Sequence, residues 1–149
     1  MRNSGRLIVE STSEPLSIDD PPSGVYDILL FDESRLLYKN GVTEFISLTQ
    51  NNTATLKGGS INLIGTLRYA APALGDENIF IYAQDGWSWI DGDPLKGIEG
   101  NWLSDGLPFC IEFDNDPDFN PVWMSVKVVP EPATLVLLGI GGLFLRRRK

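Results

Sequence analysis

The stretch Thr53-Ala54-Thr55-Leu56-Lys57-Gly58-Gly59-Ser60-Ile61 predicts the fold of this chain. Polar and apolar residues alternate up to Leu56, and a Gly-Gly pair then separates that segment from the next apolar residues. Alternation with a period of two is typical of a β-strand, and a glycine pair is typical of a tight turn. The stretch therefore indicates short strands joined by glycine turns.

The same pattern extends from about Val25 to Val129. Apolar runs or alternating residues occupy the ranges 26–31, 42–48, 78–83 and 122–129. Asn-Gly, Gly-Gly and Asp-Gly pairs recur between them, and no window of useful length has helical periodicity. These features predict an all-β fold for residues 25–128. Residues 1–24 are predicted to be a loose N-terminal segment, because residues 11–24 are rich in Ser, Pro and Asp.

A weak internal repeat with a spacing of 19 residues suggests how the strands are arranged. The matched pairs are Leu29 with Leu48, Asp32 with Asn51, Ser34 with Thr53, Leu37 with Leu56, Val42 with Ile61 and Phe45 with Ile64. Three short strands in a repeat of about twenty residues are typical of a right-handed parallel β-helix coil. We therefore predict such coils for residues 25–68, with an antiparallel meander as the alternative. Residues 79–129, which are rich in Trp, are predicted to form a β cap over the open end of the coils.

Composition excludes several kinds of chemistry. The chain of 149 residues has no histidine and one cysteine. It therefore has no Ser-His-Asp or Cys-His catalytic arrangement, no histidine-based zinc site and no internal disulfide. We predict that Cys110, in the apolar run Phe109–Phe113, is a small buried residue. The net charge is −8, and residues 1–145 carry 8 basic and 20 acidic residues, or −12, which argues against nucleic acid as a partner.

The C-terminus combines a peptide motif, a short apolar segment and a basic end. The motif is Val129, Pro130, Glu131, Pro132, Ala133 and Thr134. The apolar segment is Leu135, Val136, Leu137, Leu138, Gly139, Ile140, Gly141, Gly142, Leu143, Phe144 and Leu145, and the basic end is Arg146, Arg147, Arg148 and Lys149. As a helix the segment would be about 16 Å long, whereas a bilayer core is about 30 Å thick. We therefore predict a marginal transmembrane helix suited to temporary retention, with the cations in the cytoplasm and residues 1–132 outside.

This C-terminus resembles the PEP-CTERM sorting domain of Gram-negative-type bacteria. The resemblance covers residues 129–149 and implies that a membrane-embedded exosortase protease recognises Pro130, Glu131 and Pro132. It further implies removal of the tail and delivery to the cell surface or the extracellular polysaccharide matrix. The arrangement of residues 79–129 before the motif resembles planctomycete-type PEP-CTERM proteins with a β-helix ectodomain. A cargo of this kind should begin with a signal peptide, but none is visible in residues 1–20. Either the chain is a fragment of a longer one, which we favour, or the protein is never exported.

Three groups of residues are candidates for binding or chemistry. Trp87 and Trp89 with Asp91 are a possible glycan platform, although two aromatic residues of equal strand parity are also typical of a core. Asp114, Asp116 and Asp118 offer alternating oxygens for calcium, but the sequence lacks the Gly and Glu of a calcium-binding loop. A polysaccharide lyase or hydrolase could use the group Arg35, Lys39, Lys57, Asp32 and Glu33. In a 19-residue register, however, no acidic residue stacks beside the three basic residues, which favours a solvated surface.

The sequence thus predicts a non-enzymatic, exported protein without cofactor, sorted to the cell surface and structural or adhesive in role. Its expected partners are an exosortase-type protease and extracellular polysaccharide. A carbohydrate-binding module and a truncated β-helix polysaccharide lyase or hydrolase are the alternatives. A few more coils upstream of Met1 would favour the structural protein, whereas several hundred residues with clustered carboxylates would favour the enzyme.

Overall fold

The computed structural model describes residues 5–10, 25–49, 51–66 and 78–130. These ranges contain eleven strands and two short 3-10 helices, Ile90–Gly92 and Val122–Ser125. The strands are β1 (Arg6–Val9), β2 (Val25–Leu29), β3 (Arg35–Tyr38), β4 (Val42–Leu48), β5 (Thr53–Leu56), β6 (Ser60–Thr66), β7 (Ile79–Tyr82), β8 (Ser88–Trp89), β9 (Gly97–Asn101), β10 (Pro108–Asp114) and β11 (Val126–Val129). The prediction of an all-β fold is confirmed for these ranges.

The strands form two sheets, and consecutive strands from β1 to β7 alternate between them. The first sheet has the order β1-β3-β5-β7-β11, and all its neighbouring strands are parallel. The second sheet has the order β2-β4-β6-β10-β9-β8. Its strands β2, β4, β6 and β10 are parallel, whereas β9 is antiparallel to both β10 and β8. Because this second sheet is mixed, the predicted parallel β-helix is not confirmed.

Within residues 25–66 the strands that neighbour each other in a sheet are offset by 18 residues, so the predicted register of 19 is wrong. Arg35 pairs with Thr53 in the first sheet, and Val42 pairs with Ser60 in the second. Leu37 therefore lies beside Thr55 and not beside Leu56. A one-residue slip reverses which face every side chain occupies, so the offset of 19 would have paired outward residues with inward ones. Each 18-residue repeat also contributes two strands, one to each sheet, where the sequence predicted three.

Strands β4 and β6 interrupt the alternation of inward and outward residues at equivalent positions. Thr43 and Ile46 are both buried although they are three residues apart, and so are Ile61 and Ile64 in the next strand. Thr43 pairs with Ile61 and Ile46 with Ile64, so the break in alternation occurs at the same level of both strands. Between these buried residues each strand has two successive residues that are not buried, Glu44 and Phe45 in β4 and Asn62 and Leu63 in β6.

The core lies between the two sheets and is built from columns of stacked residues. In the first sheet, Leu36, Ala54 and Ile79 form one column, and Tyr38, Leu56 and Ile81 form the next. All six side chains are buried and belong to one apolar cluster that also contains Ile28, Ile46, Leu48, Ile61, Ile64, Ile98 and Ile111 from the second sheet. Alternation along β3, β5 and β7 thus leaves the intervening side chains on the outer surface of the first sheet.

Residues 79–129, predicted as a cap, continue both sheets. Strand β7 pairs with β5 and strand β10 pairs with β6, each in parallel. The predicted strand over residues 122–129 is partly wrong, because Val122–Ser125 is a 3-10 helix that follows Pro121. The side-chain oxygen of Asn115 accepts a hydrogen bond from the Val122 amide, which takes that amide away from sheet pairing. At the other end, β1 falls within the segment predicted to be loose.

Candidate functional site

The predicted sorting motif begins where the described fold ends. Val129 is the last residue of β11, an edge strand of the first sheet, and its carbonyl oxygen accepts a hydrogen bond of 3.3 Å from the Ala83 amide. Pro130 follows directly and is exposed. Proline fixes φ and has no amide hydrogen, so it cannot extend the hydrogen bonding of β11 to β7. The remaining motif residues Glu131 to Thr134, the predicted transmembrane segment and the basic end lie outside the described residues.

Trp87 and Trp89 pack against each other and do not form a flat platform. Their ring centroids are 5.2 Å apart and the ring planes are nearly perpendicular, at 79°. Trp89 also contacts Phe113 edge-on, with centroids 6.4 Å apart. Both tryptophans are half-buried and pack against the core cluster. A depression of about 540 Å³ lies nearby, but its lining, which includes Gly86, Ser88 and Glu99, contains neither tryptophan.

Asp91, the third member of the predicted glycan platform, is engaged by a lysine. It lies in the turn after β8 with a φ of 53°, a left-handed conformation that is uncommon for residues other than glycine. Lys96 Nζ donates a hydrogen bond of 2.9 Å to Asp91 Oδ2. This hydrogen bond and the lysine charge lower the pKa of Asp91, and the same contacts raise the pKa of Lys96. The carboxylate is therefore already paired, in an exposed ion pair.

The acidic loop after β10 is the predicted calcium candidate, and hydrogen bonds within the loop engage two of its residues. Asp114, Asp116 and Asp118 do not come together as a group of three carboxylates able to hold a metal ion. Asp116 instead accepts a hydrogen bond of 2.9 Å from the Asp118 amide. Asn115 holds the loop, because its side chain donates to the Leu95 carbonyl oxygen and accepts from the Val122 amide. These hydrogen bonds favour a structural role for Asn115 in holding the conformation of the loop.

Cys110 is exposed, so the prediction that it is buried is wrong. It lies on the outer surface of β10, with Glu112 two residues further along the strand and Glu99 beside it on β9. Partial desolvation and the two carboxylates raise the pKa of the thiol. Elevation of the pKa lowers the fraction of reactive thiolate at neutral pH, which argues against a catalytic nucleophile.

The basic residues of the coil region have partners that the sequence did not indicate. Lys39 Nζ forms an ion pair with the carboxylate of Glu10, which follows β1. Lys57 Nζ lies 4.4 Å from the centroid of the Tyr82 ring, a cation–π contact. Arg35 pairs in register with Arg6 on one side and Thr53 on the other. The Asp32 carbonyl oxygen accepts a hydrogen bond from the side chain of Asn52. This contact joins the turn after β2 to the turn after β4.

Comparison with known families supports the sorting assignment. Residues 128–149 match the model of the PEP-CTERM protein-sorting motif. The chain carries a PEP-CTERM motif. This motif implies export and sorting to the cell surface by an exosortase-type membrane protease. No curated protein matches the chain, and no solved structure matches it.

The PEP-CTERM match begins at Val128, inside β11, and so overlaps the described fold by three residues. Within the described ranges no helix is both long and apolar enough to cross a membrane. The predicted transmembrane helix, Leu135 to Leu145, lies beyond those ranges and stays a prediction.

Proposed function

We propose that this protein is a non-enzymatic component of the cell surface or extracellular matrix, structural or adhesive in role, delivered there by its PEP-CTERM motif. The observation that carries the proposal is the match of residues 128–149. It is supported by the structure of the junction, where the last strand ends at Val129 and Pro130 is exposed. Pro130 and Pro132 disfavour a helix through the motif, which suits a protease that needs an extended backbone.

In this proposal the tail acts in two steps. The short apolar segment holds the exported chain at the membrane, with the basic end in the cytoplasm. The exosortase then reads Pro130-Glu131-Pro132 and removes the tail, which frees the β-rich body for extracellular polysaccharide. The proposal treats residues 25–68 as parallel β-helix coils of a planctomycete-type ectodomain. The equal offset of 18 residues in both sheets supports that description.

A reporter fusion tests the sorting half of the proposal. Residues 125–149 are fused to an exported reporter protein in a host that has an exosortase, and processing is followed by mass and by cell fractionation. We expect loss of the tail and movement of the reporter to the surface, and Glu131→Ala should leave the tail attached and the reporter in the membrane. Lys127→Ala is the matched control, because it changes a charged residue just outside the motif. Equal processing of the Glu131→Ala and control fusions would contradict the proposal.

Carbohydrate binding is a second candidate function, supported by the part-exposed ring of Trp87, which packs edge-on against Trp89. Aromatic faces and a nearby carboxylate such as Glu99 suit a sugar ring and its hydroxyl groups. A glycan array probed with the full chain should then show binding that Trp87→Ala removes. Trp123→Ala, at another exposed tryptophan, should keep it. Failure of the full chain to bind any glycan on the array would reject this candidate.

A further inference from the structure

The outer surface of the first sheet is basic. We define the basic face as the outward side chains of this sheet and of the residues that directly follow its strands. Five of the six lysine and arginine residues in the described ranges lie there, with one acid: Arg6, Arg35, Lys39, Lys57 and Lys127, with Glu10. The face therefore carries a charge of about 5 − 1 = +4, within a chain whose net charge is −8.

The outer surface of the second sheet has the opposite charge. We define the acidic face as the outward side chains of β2, β4, β6, β8, β9 and β10. It presents five carboxylates: Asp27, Glu44, Glu99 and Glu112, which are exposed, and Asp114, which is half-buried. These six strands contain no lysine or arginine. The core lies between the two sheets, so the basic and acidic faces lie on opposite sides of one body.

Two cations of the basic face are neighbours of like charge. Arg6 on β1 pairs in register with Arg35 on β3, and strands are about 4.8 Å apart. Like charges directly opposite each other destabilise a sheet unless an anion lies near. Within the described ranges neither arginine makes an ion pair, and both line a depression of about 330 Å³ together with Thr53 and Thr55. An acidic side chain entering this depression would relieve the repulsion.

We propose that the basic face of one copy packs on the acidic face of a second copy. The charges, about +4 and about −5, are opposite in sign and similar in size, the condition under which surfaces steer and select each other. Because the two faces differ and lie on opposite sides of the same body, the contact is head-to-tail. Such a contact leaves a free basic face at one end and a free acidic face at the other, so copies add in an open chain.

The size of the faces predicts weak association. Five strands at about 4.8 Å and four residues at about 3.3 Å give roughly 300 Å² on each partner. A standard stable interface uses about 800 Å² on each partner. Assembly therefore requires a high local concentration, such as a crowded surface provides. Since the attraction is electrostatic, it weakens as salt shortens the screening length from about 8 Å to about 3 Å between 0.15 M and 1 M.

Charge reversal tests the proposal with the full chain in a nonionic detergent. Sedimentation velocity should show a size that increases with protein concentration at 0.15 M salt and falls at 1 M. Arg6→Glu with Arg35→Glu brings the charge of the basic face from about +4 to 0, and Glu99→Lys with Glu112→Lys brings the charge of the acidic face from about −5 to −1. We therefore expect each double variant to weaken self-association at least tenfold. An equimolar mixture of the two should form one-to-one complexes, because the unchanged acidic face of the first variant meets the unchanged basic face of the second. Lys96→Glu, outside both faces, should behave as the unmodified chain.

Several outcomes would overturn the proposal. One is an unmodified chain whose size does not change with concentration, and another is a mixture of double variants that fails to associate. A third is an unmodified chain that stays monomeric but binds dextran sulfate through Arg6 and Arg35, since the basic face would then serve an anionic polymer. Circular dichroism melts of every variant establish folding. If a charge reversal unfolds the chain, Arg35→Gln and Glu112→Gln replace it and should each weaken association at least threefold.

Discussion

The indole Nε1 of Trp102 donates a hydrogen bond of 2.8 Å to the carbonyl oxygen of Gly59, 43 residues earlier in the chain. Trp102 is 1% exposed, and its ring packs on Phe109 with centroids 4.4 Å apart. Ser104 adds a second contact to the same turn, because its hydroxyl donates to the Lys57 carbonyl oxygen. The segment after β9 is therefore joined to the glycine turn between β5 and β6.

Trp102→Phe should destabilise the protein by about 1–3 kcal/mol. The substitution keeps an aromatic ring but removes the donor to Gly59, and a buried carbonyl that loses its partner costs that amount. Urea unfolding followed by circular dichroism measures the change. Trp123→Phe is the control, because Trp123 is 37% exposed and should change the unfolding free energy by less than about 0.5 kcal/mol. Equal effects of the two substitutions would contradict the assigned role.

Gly59→Ala should be more costly than Gly86→Ala. Both glycines have positive φ, 85° and 96°, so both substitutions carry the backbone penalty of roughly 1 kcal/mol. At Gly59 a Cβ would also lie 2.6 Å from the Gly41 carbonyl oxygen, whereas at Gly86 nothing lies within 4 Å. We expect an additional 1–3 kcal/mol, as a rough estimate, for Gly59→Ala from this crowding of stacked turns. Equal urea midpoints for the two variants would show that the turns are not tightly stacked.

Asn52→Ala should destabilise the fold by about 2–3 kcal/mol, the combined cost of several lost hydrogen bonds. Asn52 is buried, and its side-chain oxygen accepts from the amide and the hydroxyl of Thr49, each at 2.7 Å. Its nitrogen donates to the Asp32 carbonyl oxygen and to Ser34 Oγ in the preceding turn. Asn62→Ala serves as the control, because Asn62 makes an exposed hydrogen bond to Glu44. Thermal unfolding should separate the two, and a larger loss for Asn62→Ala would refute the assignment.

Stability should fall between pH 10 and pH 12 because of Tyr38. Burial raises the pKa of Tyr38 from 10.0 to about 12, so the folded state resists ionisation that the unfolded chain permits. The contribution is fully present below pH 10 and is lost as the pH rises toward 12, by about 1–2 kcal/mol. Tyr38→Phe should flatten this part of the urea-stability profile, while Tyr82→Phe should leave the decline in place. If stability still declined between pH 10 and pH 12 in Tyr38→Phe, the decline would be due to the ionisation of other groups.

Cys110 should react with iodoacetamide in the native state, but slowly. The thiol is exposed, and its pKa is raised by partial desolvation, Glu99 and Glu112, so less thiolate is present at pH 8 than in a free cysteine. Glu99→Gln removes one negative charge and should increase the rate by roughly twofold, whereas Asp85→Asn should not. Mass spectrometry of timed samples gives both rates. A thiol that reacts only after unfolding would contradict its exposure.

Several elements were predictable because the signal is local. Alternation in Ile79–Ala83 and in Val126–Val129 marks strands β7 and β11, and the Gly58-Gly59 pair marks the turn before β6. Alternation also separates Cys110 and Glu112 from Phe109, Ile111 and Phe113, as the structure shows. Cys110 was predicted to be buried because it lies within an apolar run, but the alternation along the run places it on the exposed side of β10.

The register and the charge separation were not predictable from local signals. Apolar residues align at an offset of 19, as in Leu37 with Leu56, but the structure pairs residues offset by 18 so that Tyr38 stacks on Leu56 inside the core. In β4 the alternation of buried and exposed residues is interrupted after Glu44, so the inward-facing residues change from odd to even positions. A prediction based on strict alternation does not include such a break. Cations such as Arg6 and Lys127 lie far apart in sequence and share a face only through strand order.

The constant offset of 18 residues has a consequence for how such a chain can change by descent. A duplication or loss of 18 consecutive residues within 35–66 would add or remove one whole layer and leave each remaining residue with an equivalent neighbour. A gain of a single residue inside a strand would instead turn the rest of that strand to the opposite face. Length changes within these strands are therefore expected in whole layers, with the sorting motif carried along unchanged at the end.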